Sequence, residues 1–147
     1  MSWLRNIGGI GVVGVLVASV GCGSGSSSTS TAPSAATSTD VFTGTVLQGG
    51  VDYGGANNAN HFTVHAAGNI TATITSLAPL STITIGLGLG VYDAATSTCS
   101  LQLFGDAAKL NLALSASVAS GGELCVGVYD VGNVQISTDY QVTVVHT

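Results

Sequence analysis

The chain has 147 residues, with 2 Lys or Arg against 7 Asp or Glu, a formal net charge of −5 and 6% charged residues. So few cations cannot neutralise a phosphate backbone, which excludes nucleic acid as a partner. With 21 glycines and a remainder rich in Ser, Thr and Val, the chain also lacks the helix-forming faces a bundle needs.

Met1 to Asn6 is a short polar start carrying Arg5, and Ile7 to Val20 is uncharged and apolar apart from its glycines and Ser19. About 14 residues is short for a bilayer core that takes roughly 20. It suits the apolar region of an export signal. Ala18-Ser19-Val20-Gly21-Cys22 follows, then Gly23-Ser24-Gly25. This stretch resembles the lipobox of bacterial lipoproteins, in which a Cys after small residues is lipid-modified and becomes the new N-terminus. Ser19 departs from the pattern, which has an aliphatic residue there. The resemblance implies a signal peptide over residues 1–21, lipidation at Cys22, and a membrane partner reached through the anchor. It places the chain in the bacterial cell envelope. Gly23, rather than Asp, after the Cys is similar to lipoproteins sorted to an outer membrane or the cell surface. Soluble secretion and an uncleaved anchor are the alternatives. Cleavage before Cys22 would remove Met1, Trp3 and Arg5, leaving Lys109 as the sole basic side chain against seven acids.

Gly23 to Thr39 is almost wholly Gly, Ser, Thr and Ala, with Pro33 as its one stiff residue. Without apolar periodicity nothing offsets the entropy of ordering it, so residues 22–39 form the lipidated Cys and a flexible tether. Such a chain has a root-mean-square reach of roughly 20–25 Å.

From Asp40 the pattern becomes alternation of period two, the mark of half-buried strands. Phe62 and Val64 alternate with His61, Thr63 and His65, and Ile70, Ala72 and Ile74 with Thr71, Thr73 and Thr75. Ile83 to Val91 alternates with Thr82, Thr84, Gly86, Gly88 and Gly90. Leu110, Leu112, Leu114, Ala116 and Val118 keep the same rule, as do Leu124, Val126 and Val128, then Tyr140, Val142 and Val144. Clusters of Gly, Asn and Asp separate these runs. About eight short strands over residues 40–147, with no helical stretch, predict an all-β antiparallel sandwich. The row of Gly86, Gly88 and Gly90 signals close approach of another backbone, a bulge, or simply a small outer face.

His61-Phe62-Thr63-Val64, then Gly68 ahead of Ile70-Thr71-Ala72-Thr73-Ile74, are followed by Gly122 to Asp130 and Tyr140-Gln141-Val142-Thr143-Val144. In that order they resemble the bacterial pre-peptidase C-terminal type of domain, over most of Val41 to His146. The resemblance implies a jelly-roll sandwich, and an accessory module without catalysis of its own.

If Cys22 carries lipid, an exported chain keeps Cys99 and Cys125, which predicts a disulfide. The loop it closes would stabilise the fold by roughly 3 kcal/mol in the chain-entropy view. Parity complicates the pairing. Cys99 shares a face with Leu101 and Leu103, whereas Cys125 lies opposite to Leu124 and Val126, so one of the two needs a strand end or a bulge.

Little else points to chemistry. His61 and His65 on a strand would stand roughly 13 Å apart, too far for one ion. His146, one residue from the end, reads as an exposed strand end. No GxSxG occurs, and Asp93, Asp106, Asp130 and Asp139 lie at turns, where Asp serves the backbone. A non-catalytic module is therefore expected, acting in adhesion, protein interaction or structural display. Two ligand classes compete with that reading. Loop oxygens of Asp52, Asp93 and Asp130, with Asn57, Asn58 and Asn133, would suit Ca²⁺. Tyr92 and Tyr129 share outward parity beside Gly90 and Gly127 and would form a small shelf for a glycan.

Overall fold

The computed structural model describes residues 36–55 and 60–147. The expected signal peptide, Cys22, most of the expected tether, Asn57 and Asn58 lie outside the described residues. Nine strands and no helix are found among the described residues. They are β1 (Ser38–Val46), β2 (Val51–Asp52), β3 (His61–Val64), β4 (Gly68–Ala78) and β5 (Ile85–Asp93), then β6 (Thr98–Ala108), β7 (Ala113–Val118), β8 (Gly122–Tyr129) and β9 (Thr138–His146). The first strand opens at Ser38, so Ser38 and Thr39 belong to the sheet rather than to the tether.

A four-stranded sheet runs β1-β9-β4-β7 and a five-stranded sheet runs β2-β8-β5-β6, with β3 also on β8. Every pairing is antiparallel. β2 and β3 share one edge of β8, at Tyr129 and Val128 and at Cys125 to Gly122 respectively. Counted as one interrupted strand, they leave eight positions in two sheets of four, the jelly-roll arrangement.

The period-two residues of both sheets meet in one core. Ile70, Ala72 and Ile74 of β4 and Val142 and Val144 of β9 face Leu87 and Leu89 of β5 and Val126 and Val128 of β8. Phe62 and Tyr140 are also buried there, at 4% and 3% exposure. His146 is not an exposed end. It is 2% exposed, its Nε2 lies 2.7 Å from Asp40 Oδ2, and its ring lies 5.0 Å from that of Phe62. Its even position on β9 turns it inward with Tyr140, Val142 and Val144, and parity outweighs nearness to the terminus.

Leu110 and Leu112 depart from the alternation that suggested them as strand. Lys109 to Leu112 is a turn closed by Leu112 N–H donating to Lys109 C=O at 2.9 Å, with Asn111 at a φ of 65°. Asn tolerates this left-handed backbone better than other non-glycine residues. β7 therefore starts at Ala113.

The first half of β6 does not stay in the plane of its sheet. Cys99 lies on β6 and Cys125 on β8, with β5 between them. In a flat sheet their Cα atoms would be roughly 10 Å apart. They are 5.9 Å apart, with the sulfurs bonded. β6 rises over the outer face of β5, and the register shifts between Leu89 and Gly90 where Gln102 is the extra residue. That bulge resolves the parity conflict. Leu103 pairs with Leu89 and packs on the core, while Leu101 pairs with Gly90 on the outer face, the side on which Cys125 also lies.

Candidate ligand-binding face

Successive rows across the outer face of the five-stranded sheet follow from the registers. Val51 of β2 stands beside Tyr129 of β8, and Tyr129 beside Gly86 of β5. Next, Gly127 stands beside Gly88, and Gly88 beside Phe104 of β6. Then His61 stands beside Cys125, Cys125 beside Gly90, and Gly90 beside Leu101. Gly86, Gly88, Gly90 and Gly127 thus make a buried floor along two adjacent strands.

Larger side chains roof this floor, and space is the reason glycine is there. A Cβ on Gly86 would stand 2.1 Å from Tyr129 Cε2, and one on Gly127 would stand 2.7 Å from Tyr53 Cε1. One on Gly88 would meet Leu101 Cδ1 at 2.7 Å. At Gly90 the neighbour is backbone: a Cβ would lie 2.1 Å from the Ser100 carbonyl oxygen. Both sequence readings of the glycine row, a close backbone and a bulge, are therefore present at once.

The roof has an open end. Phe104 meets Tyr129 edge-on at 6.2 Å between centroids, yet remains 58% exposed, and Val51 remains 51% exposed. The Tyr129 hydroxyl donates to Asp106 Oδ1. Burial, and then the Asp106 carboxylate, push the Tyr129 phenol up to about 12. A rigid apolar floor, two aromatic rings and a carboxylate rim thus sit together on one face.

Tyr92 shares this face but not this end. Tyr129 is opposite Gly86, six residues from Tyr92 along β5, so the two tyrosines are roughly 20 Å apart. Parity gives the face and says nothing of position along the strand. Tyr92 stacks instead on His61, with centroids 4.1 Å apart and planes 3° from parallel. His61 Nδ1 in turn lies 3.7 Å from Glu123 Oε2, beside the disulfide end of the face.

The three aspartates considered for Ca²⁺ serve separate loops, and no group of three or more His, Cys, Asp or Glu side chains forms among the described residues. Asp52 Oδ1 accepts from Gly54 N–H and Gly55 N–H, and its Oδ2 accepts from Thr45 N–H and the Tyr140 hydroxyl. Tyr140 also accepts from Asn60 Nδ2, so this network closes the sandwich along β1 and β2. Asp130 accepts from Gly49, Gly132, Asn133 and Val134 N–H groups, which hold its carboxyl below the usual range. Asp93 caps its own turn through Ala95 N–H, again lowering its carboxyl. These oxygens already face N–H donors, the opposite of what a cation needs.

Tyr53, Leu101 and Phe104 escaped the sequence reading of the site. The signal for them was the glycine row itself, since a strand floor emptied of side chains is filled from neighbouring strands. No family model matches the chain, and no curated protein matches it.

Proposed function

We propose that the chain is a non-catalytic sandwich module of the bacterial envelope, of the pre-peptidase C-terminal kind. Acyl chains on Cys22 hold it to a membrane and the stretch from Cys22 up to the start of β1 lifts it off, with secretion as the alternative fate. It acts in adhesion or protein interaction through the outer face of the five-stranded sheet. One observation carries this reading: Phe104 and Val51 stay more than half exposed beside Tyr129 on a glycine floor. Clustered apolar exposure of this kind marks interaction surfaces. A floor pinned by the disulfide loses little freedom on binding. The lipobox-like residues support the anchor. The carboxylates tied into turns support a role without catalysis.

A glycan is the second reading, favoured by Tyr129 and Phe104 lying beside the Asp106 carboxylate. Rings of this kind pack on the C–H face of a sugar while a carboxylate accepts from its hydroxyls. The test is binding of envelope fragments to the immobilised full chain. Phe104→Ser with Val51→Ser should abolish it. Val145→Ser, at a 40% exposed position on the four-stranded sheet, should leave it intact. Equal binding by all three chains would refute the assignment. A polysaccharide that raises the melting point and competes for the face would select the glycan reading.

A further inference from the structure

A sheet edge presents unpaired N–H and C=O groups, and proteins blunt such edges with short strands, inward charges or bulges. Among the described residues, three of the four sheet edges carry such a device. β2 and β3 are 2 and 4 residues long. β1 turns Asp40 inward onto His146. β6 is bulged at Gln102 and rises over β5. β7 has none of them: Ala113–Val118 reads ALSASV, without charge or Pro, and pairs with β4 with no register shift.

β7 is also less covered than the strand beside it. Its inward residues Leu114, Ala116 and Val118 are only half-buried, whereas Ile70, Ala72 and Ile74 on the adjoining β4 are at most 1% exposed. An apolar cleft of about 190 Å³ opens between the sheets beside it, lined by Leu89, Leu103, Ala116, Val118 and Leu124. On the opposite side Asn69, Thr71, Ser115 and Ser117 line a polar hollow. A strand added to β7 would place alternate side chains over the cleft and the others along these polar groups.

We propose that the added strand is β7 of a second copy, paired antiparallel about a two-fold axis. The strand carries no charge to oppose itself across that axis. Centred on Ala116, the pairing sets Leu114 against Val118 of the other copy and Ser115 against Ser117, so inward residues stay inward. The cleft is then covered from both sides, and the guarded edges stop assembly at two chains.

Sedimentation of the full chain in density-matched detergent reads the protein mass alone. The wild type should run at twice its single-chain mass. Ser115→Glu with Ser117→Glu sets like charges opposite one another on the solvent face, and Ala116→Lys points a charge into the cleft. Both variants should run as single chains. Mixing the glutamate variant with one carrying Ser115→Lys and Ser117→Lys should restore the pair. If Ala116→Lys does not fold, the exposed serine positions decide. A single-chain wild type at every loading overturns the proposal, as does a dimer that the serine variants leave intact.

Discussion

Gly90→Ala tests the architecture of the outer face most severely. No positive φ is involved there, so the cost comes from space alone. The new Cβ would stand 2.1 Å from the Ser100 carbonyl oxygen and 2.7 Å from Leu101 Cα, where ordinary contact begins at 3.4 Å. β6 must lift by roughly 1 Å, and the disulfide at Cys99, one residue from Ser100, resists the lift. Overpacking of this sort costs about 1–3 kcal/mol, and a backbone neighbour puts it near 3. For a domain of this size that lowers Tm by roughly 12 °C. Gly88→Ala should cost only about 1 kcal/mol, because the atom it meets is a Leu101 methyl group free to turn. Gly105→Ala, whose nearest neighbour is 3.4 Å away, should be neutral within about 0.5 kcal/mol. Urea unfolding followed by far-ultraviolet circular dichroism measures all three. In a Cys99→Ser, Cys125→Ser background the cost at Gly90 should fall by at least about 1 kcal/mol, since β6 is then free to rise. Equal costs at the three glycines would refute the reasoning, and so would a Gly90 cost indifferent to the disulfide.

Asp52→Ala strands three N–H groups and the Tyr140 hydroxyl, and should cost about 2–3 kcal/mol in urea unfolding, with Asp52→Asn costing less. A free energy within experimental error of wild type would show the network to be dispensable. Alkali should destabilise the fold. Burial and Asp106 raise Tyr129 from 10.0 to about 12, and burial and the Asp52 charge raise Tyr140 as well. Because the unfolded chain releases these protons first, the stabilisation is complete below pH 10, and the share of Tyr129 is lost as pH climbs through about 12. Urea midpoints across that window should fall, less so for Tyr129→Phe; a flat profile would contradict the assignment. Calcium or a chelator should leave Tm unchanged, since Asp52, Asp93 and Asp130 are already engaged by N–H donors. A calcium-dependent rise would restore the metal reading.

Strand identity was legible wherever one face is dry, because period two is a direct imprint of the pleat. Ile70, Ala72 and Ile74 or Tyr140, Val142 and Val144 could not sit otherwise without exposing a core row. The same rule failed at Leu110 and Leu112, where alternation runs through a turn that only Asn111 betrays. It also correctly set the parity of Tyr92 and Tyr129, yet could not say that β5 carries them to opposite ends. The parity conflict between Cys99 and Cys125 was itself informative: it required a strand end or a bulge, and a bulge lies at Gln102. What stayed hidden is pairing over distance. Tyr53 follows β2 whereas Leu101 and Phe104 both lie on β6, and no local pattern tells which of them fills a glycine floor.

The anchored-module account stands or falls first on the intact mass of the protein extracted from its native membrane, with and without reductant and alkylation. It predicts a chain that starts at Cys22 and carries acyl chains, with Cys99 and Cys125 alkylated only after reduction. A mass that retains Met1, or an unacylated start, would contradict the account and leave the outer face to a protein that no lipid holds at a surface.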